Sequence, residues 1–191
     1  MKEKVIVIKI GGNVIDNAAA LSQFIALFSQ VPGKKVLVHG GGKVATQMAT
    51  DLAIPQQMIG GRRVTDAETL KIVTMVYAGL INKNIVAALQ SHQCNAMGMT
   101  GADANLILSH KRVHESIDYG YVGDVDQVNA AFLNTVLQQD ITVVVAPITH
   151  DGNGQLLNTN ADTCAQVIAE GLSAYYDVSL IYSFEKNGVL L

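Results

Sequence analysis

A lysine stands inside an otherwise apolar run, Val5 to Ile10, two residues ahead of a glycine pair: Lys9, then Gly11-Gly12. Burying an ammonium without a partner is costly, so a cation at the carboxyl end of a strand suggests a ligand-facing group in the crevice there. A lysine on an edge strand reaching back to water is the alternative. A second glycine cluster, Gly40-Gly41-Gly42, follows the run Val36 to Val38 and His39. Glycine lets backbone N–H groups converge on a phosphate or carboxylate with no Cβ in the way, and a following helix adds a favourable partial charge. One such pair reads as a tight strand-to-helix turn; two in tandem shift the reading toward an anion cradle. In Arg62-Arg63-Val64-Thr65 a guanidinium could clamp a carboxylate through two parallel hydrogen bonds, or stand as a solvated loop arginine. In Asn158-Thr159-Asn160-Ala161-Asp162 polar residues run into a helical pattern. There Asn160 as a helix N-cap and Asp162 as a first-turn acid would also suffice as an explanation. No GxxxxGK[ST] is present, which argues against a P-loop enzyme, and no GxGxxG follows the first strand, which weakens a dinucleotide reading.

Strand and helix patterns alternate around these residues. Val5 to Ile10, Val36 to Val38, Ile141 to Ala146 and Val178 to Tyr182 are short apolar runs, continuous as expected for parallel strands covered on both faces. Leu21, Phe24, Ile25 and Phe28 form one stripe of an amphipathic helix, giving β-α-β. Val44, Met48 and Leu52 mark a helix after the glycine triplet. Thr65 with Glu68 reads as a capping box that opens a long helix ending near His92. Tyr119 to Val125 reads as a hairpin, with small and β-branched residues alternating around glycines. The predicted class is α/β: an open three-layer αβα sandwich with a mainly parallel sheet.

Composition narrows the function classes. The 191 residues are 49% hydrophobic and 15% charged, enough for one buried core. Thirteen Lys and Arg against 16 Asp and Glu, with no basic block, leave no electrostatic footprint for nucleic acid. The first ten residues are too short and too polar for a signal-peptide core, and no run reads as a membrane span. Cys94 and Cys164 lack metal-ligand spacing and read as reduced, packed thiols, so a cytoplasmic location is expected.

Taken in order, Lys9-x-Gly11-Gly12, His39-Gly-Gly-Gly42, Gly61-x-Arg63-Val-Thr65 and Asn158-x-Asn-Ala-Asp162 resemble the pattern of the acetylglutamate kinases of the amino acid kinase family. The resemblance spans nearly the whole chain. It implies ATP, Mg²⁺ held by the ATP phosphates with no protein metal ligand, N-acetyl-L-glutamate as acceptor in arginine biosynthesis, and a homodimer. It implies that Lys9 stabilises the transferring phosphoryl group and that Asp162 orients catalytic lysines. Gly41, Gly42, Arg63 and Asn158 would bind the acyl amino acid, and Gly11 and Gly12 the nucleotide phosphates. The family's second catalytic lysine and most of its adenine site lie beyond the strand at 178–182. Where relatives carry a Ser/Thr-Asp pair, this sequence has Phe184-Glu185-Lys186. The expected organisation is therefore an acyl-glutamate-binding and dimerising lobe over 1–176, with 177–191 as the start of a nucleotide lobe left incomplete in this chain. The rivals are a family kinase with another acceptor, such as aspartate, glutamate, carbamate or a nucleoside monophosphate, and a non-catalytic binding module. The residues leave open whether the acyl group is acetyl or something larger, such as succinyl.

Overall fold

The computed structural model describes residues 2–183. In chain order the elements are β1 (Lys4–Ile10), α1 (Gly12–Ile15), α2 (Ala18–Gln30), β2 (Lys34–His39), α3 (Gly42–Asp51), β3 (Gln57–Ile59) and β4 (Arg62–Val64). Next come α4 (Ala67–Val73), a π-wound segment (Thr74–Ile81), α5 (Asn82–Ser91), β5 (Ala96–Met99), β6 (Ile107–Lys111) and β7 (Gly123–Val128). The chain continues through α6 (Ala130–Leu137), β8 (Thr142–Val145), β9 (Ile148–His150), β10 (Leu156–Asn158), α7 (Ala161–Leu172) and β11 (Asp177–Ser183).

The main sheet has the order β11-β1-β2-β8-β5, and all its pairings are parallel. Its central strands are apolar on both faces because each face has its own helical layer. Ile8, Ile10, Leu37 and Val144 join one core cluster with Phe28, Ile72 and Ile85 from α2, α4 and α5. Val5, Val7, Val36, Val38, Val143 and Val145 join a second, with Leu133 from α6 and Ile168 from α7. This is the expected open αβα sandwich. A four-stranded mixed sheet, β10-β9-β6-β7, and the two-stranded β3-β4 hairpin are additions to it.

The strand period fixes where two adjacent lysines go. Lys34 and Lys35 open β2 and, side by side, project to opposite faces. Lys34 Nζ donates to Leu137 O at the end of α6 (3.0 Å), with Asp140 and Glu3 nearby. Lys35 Nζ donates to Ser29 O (3.1 Å) and Val31 O (2.6 Å) at the end of α2. Each ammonium thus meets the carbonyl end of a helix on its own side of the sheet, where the dipole favours a cation.

Several local expectations change. The N-cap of α4 is Asp66, whose carboxylate accepts from Thr69 N at 2.8 Å. Thr65 is instead buried, with its backbone bonded to Tyr119 and Tyr121 and its Oγ1 accepting from Asn158 Nδ2, so its hydroxyl does not serve as the cap. Residues 119–125 contain no hairpin: the arms of the real one are β6 and β7, and Gly120 makes a bridge to Thr65. On α3 Val44 and Met48 pack against the core as expected, but the fully buried positions are Ala45 and Ala49, whose small side chains let the helix lie close, and Leu52 is exposed. β11 is not covered on both faces among the described residues; Ile181 is 46% exposed. The helical run Ala67–Ser91 is long and apolar enough to cross a membrane by length and composition only. Its Leu70, Ile72, Val73, Val76, Ile81, Ile85 and Leu89 are packed in the core. Cys94 and Cys164 are free and buried, and burial pushes the Cys164 thiol up to about 12.

Candidate active site

The site forms where parallel strands end side by side. Ile10 of β1 is paired with His39 of β2, so Gly11-Gly12 and Gly40-Gly41-Gly42 leave the sheet as neighbours. Gly40 N donates to Ile10 O at 3.1 Å, tying the second turn to the first. α1 starts at Gly12 and α3 at Gly42, so first-turn N–H groups, which have no intrahelical acceptor, collect at this edge. Gly41 has φ +152°, and a Cβ there would collide with Ile81 and lie 3.1 Å from Tyr77. Both neighbours come from the π-wound segment, which presses its wide turn against the glycines.

Lys9 points to the same face of β1 as Val5 and Val7, the face covered by α7. Its Nζ sits 2.8 Å from Asp162 Oδ1 in the first turn of α7. The lysine is 8% exposed, so it is a buried, ion-paired cation and no edge-strand lysine reaching for water. Asn160 caps α7: its Oδ1 accepts from Asp162 N (2.7 Å) and Thr163 N (3.1 Å), which fixes the backbone that carries Asp162. A Cβ built on Gly11 would stand 3.8 Å from Lys9 Nζ, so the ammonium lies against the first glycine turn.

Beside this pair opens a cleft of about 380 Å³, lined in part by Gly42, Arg63, Tyr77, Arg112, Asn158 and Asp162. Arg63 is buried. It donates to Gln56 Oε1, to Gly42 O (2.8 Å) and to Thr46 Oγ1 (2.8 Å), which anchors the β3-β4 hairpin to the start of α3. Asn158 Nδ2 donates to Thr65 Oγ1 at 3.0 Å. The structure thus brings Gly42, Arg63, Asn158 and Asp162 into one cleft, with Lys9 bound to Asp162 at its side. Gly11, Gly12 and Gly41 lie in the adjoining turns and outside the lining of the cleft.

Sequence reasoning missed Arg112, Tyr77 and Arg62 as lining residues. Arg112 is bidentate to Asp124 (Nε at 3.1 Å from both oxygens, Nη2 at 2.5 Å from Oδ1), and this bond holds the Asp124 carboxyl below its ordinary range. The doublet Arg62-Arg63 was visible, but nothing local told that both would reach the cleft. Burial raises the Tyr77 phenol pKa, so it is a neutral wall of the cleft at neutral pH. The arginines make the cleft a place for anions, and the ion-paired lysine beside glycine turns makes its edge a place for phosphate.

The model of the amino acid kinase family matches residues 4–190. This chain belongs to the amino acid kinase family. It is 59% identical over 189 residues to the acetylglutamate kinase of Cytophaga hutchinsonii, covering 98% of this chain and 72% of that protein. Against the acetylglutamate kinase of Phocaeicola vulgatus it is 56% identical over 190 residues, covering 100% of this chain and 74% of that protein. Among solved structures, N-acetylglutamate synthase from Neisseria gonorrhoeae, in complex with coenzyme A and N-acetyl-glutamate, superimposes with a TM-score of 0.82. At 23% identity, over 99% of this chain and 43% of that one, that likeness speaks for the amino acid kinase fold alone. Phe184-Glu185-Lys186, where a departure from the family pattern was noted, lie outside the described residues.

Proposed function

We propose that this amino acid kinase transfers the γ-phosphoryl group of ATP to the side-chain carboxylate of N-acetyl-L-glutamate, a step of arginine biosynthesis. The observation that carries the reading is the identity of 56% and 59% to acetylglutamate kinases across 98% or more of the chain. The geometry supports it by setting an arginine-lined cleft beside the Lys9–Asp162 pair and two glycine turns.

A carboxylate with an ordinary pKa near 4 is ionised at pH 7, so the acceptor needs no general base. What the protein must supply is alignment and charge neutralisation on the moving group. In this reading Lys9 meets that charge, and Asp162, 2.8 Å away, holds the ammonium in place without taking a proton. Arg63 and Asn158 hold the acceptor, with Gly41 and Gly42 closing on it from the start of α3. Gly11 and Gly12 offer backbone N–H groups to the nucleotide phosphates. Mg²⁺ would arrive on the ATP phosphates and offset their charge. Among the described residues no group of three or more His, Cys, Asp or Glu is placed to hold a metal ion.

Residues 1–176 form the acceptor lobe in this reading, and 177–191 begin the nucleotide lobe. β11 pairs with β1 along its whole length, so the two would share one sheet. A homodimer remains the proposed assembly, and Met75 (52% exposed) and Leu80 (45%) offer a second copy apolar surface on the long helix. Light scattering checks it; a monomer at micromolar concentration would remove it.

ADP release tests the function, with N-acetylglutamate run beside glutamate, aspartate, carbamate and UMP, and hydroxamate capture identifies the acyl phosphate formed from N-acetylglutamate. Strong preference for N-acetylglutamate is expected. Faster turnover of another acceptor would move the chain elsewhere in the family.

A further inference from the structure

His39, the last residue of β2, is fully buried and spends both ring nitrogens on defined partners. Nδ1 is 2.8 Å from Gly40 O, and Nε2 is 3.2 Å from Asn82 Nδ2. A carbonyl can only accept, so Nδ1 carries the proton. The orientation of Asn82 is settled in turn. Its Nδ2 also faces Val144 O (3.0 Å), which only accepts, and its Oδ1 receives Lys83 Nζ (3.1 Å). The amide is therefore a donor toward the ring, and Nε2 is an acceptor. A second ring proton would set donor against donor. Desolvation agrees, lowering the pKa of His39 to about 4.

The bond to Gly40 O matters because of what surrounds that carbonyl. The Gly40–Gly41 peptide is trans and lies between two residues without a Cβ, so side-chain sterics barely choose between its two orientations. In a trans peptide the carbonyl and the next N–H point in opposite directions. With Gly40 O drawn to the buried ring, Gly41 N–H is turned away from it. A flipped peptide would put a carbonyl, a partial negative charge, where an anion cradle needs a donor.

We propose that His39 is the positioning residue of the glycine turn, its Nδ1–H pinning the Gly40–Gly41 peptide so that Gly41 N–H is presented to the transferring phosphoryl group. The Asn82–Val144 network keeps the ring in the one tautomer that can do this. The inference rests on the kinase reading above. Its effect belongs in kcat, because a misplaced donor costs most when charge has moved onto the phosphoryl oxygens.

Three variants of the intact protein separate this from simple packing. Asn in place of His39 keeps an amide donor near the position of Nδ1; Gln puts its amide near Nε2 and loses the donor; Leu loses both. His39→Gln and His39→Leu are expected to lower kcat by roughly 30-fold or more, in the range that a misplacement of about 1 Å produces, with KM for both substrates within about threefold. His39→Asn should recover most of that kcat. Equal losses in Asn and Gln variants, or a fall in melting temperature with kcat retained, would overturn the proposal. Long-range ¹⁵N–¹H correlation on the wild-type protein tests the pinning without any variant: a neutral, Nδ1-protonated His39 at pH 7 is expected, and an Nε2-protonated or charged ring overturns it. Should the wild type make no acyl phosphate, the kinase reading fails while the tautomer still tests the pinning.

Discussion

Acidification should unfold this protein partly through one side chain, His39. Burial lowers its pKa from the ordinary 6.5 to about 4, with the bond to Gly40 opposing weakly. Between those values the unfolded chain binds a proton at His39 that the folded chain refuses. The unfolded state therefore gains as pH falls, and stability rises with pH through the same window. At 1.36 kcal/mol per unit, the linkage removes about 1.4 kcal/mol between pH 7.5 and pH 5.5 and about 3 kcal/mol by pH 4. Carboxylates and exposed histidines add their own slopes, so the measurement is a difference. Urea unfolding of wild type and His39→Asn at pH 7.5 and 5.5 should show the wild type losing about 1.4 kcal/mol more than the variant, a tenfold shift in its unfolding constant. Parallel losses in the two proteins would refute the assignment of His39 as a buried neutral group.

Asp162→Asn keeps the shape of the α7 start but removes the charge 2.8 Å from Lys9, and should lower kcat by about a hundredfold with small changes in either KM, as should Lys9→Met. Comparable losses in kcat and in binding measured by calorimetry would count against their transition-state role. Arg63→Ala should raise KM for N-acetylglutamate by about tenfold or more and leave that for ATP nearly unchanged, because its guanidinium is fixed at the acceptor cleft through Gly42 O and Thr46; a larger effect on ATP would reassign it. Gly98→Ala would drive a Cβ into Asn82 Oδ1 and to 2.8 Å from Lys83 Nζ, so thermal melting should show a loss of about 1–3 kcal/mol, and an unchanged midpoint would mean that Asn82 can leave its network freely.

The parallel sheet was legible because β1, β2 and β8 are buried on both faces and so carry short apolar runs, broken in β1 only by Lys9, that need no partner to be recognised. The cap of α7 was legible too, since Asn160 acts on N–H groups two and three residues away. Three-residue strands such as β9 and β10 carry no usable period, and β5, Ala-Met-Gly-Met, is held by β8 more than by its own residues. The pair Gly60-Gly61 is the two-residue turn of the β3-β4 hairpin, whose three-residue arms are too short to carry a period of their own. At the site, Lys9, Gly42, Arg63, Asn158 and Asp162 were marked by a motif order, whereas Arg112 reaches the cleft only because β6 pairs with β7. His39 was visible beside its glycines, but its task depends on Asn82, 43 residues away.

The six residues of β2 begin with Lys34 and Lys35, each seated on a helix end on its own face, and finish with His39 against the glycine turn. A library of substitutions walked along this one strand would therefore change character part-way. Its first members should produce proteins that melt early yet turn over normally while folded. Its last should produce proteins whose defects show above all in a stopwatch assay. Two kinds of selection, heat and growth without arginine, would then act on opposite ends of the same strand and leave its middle, Val36 to Val38, answerable to both.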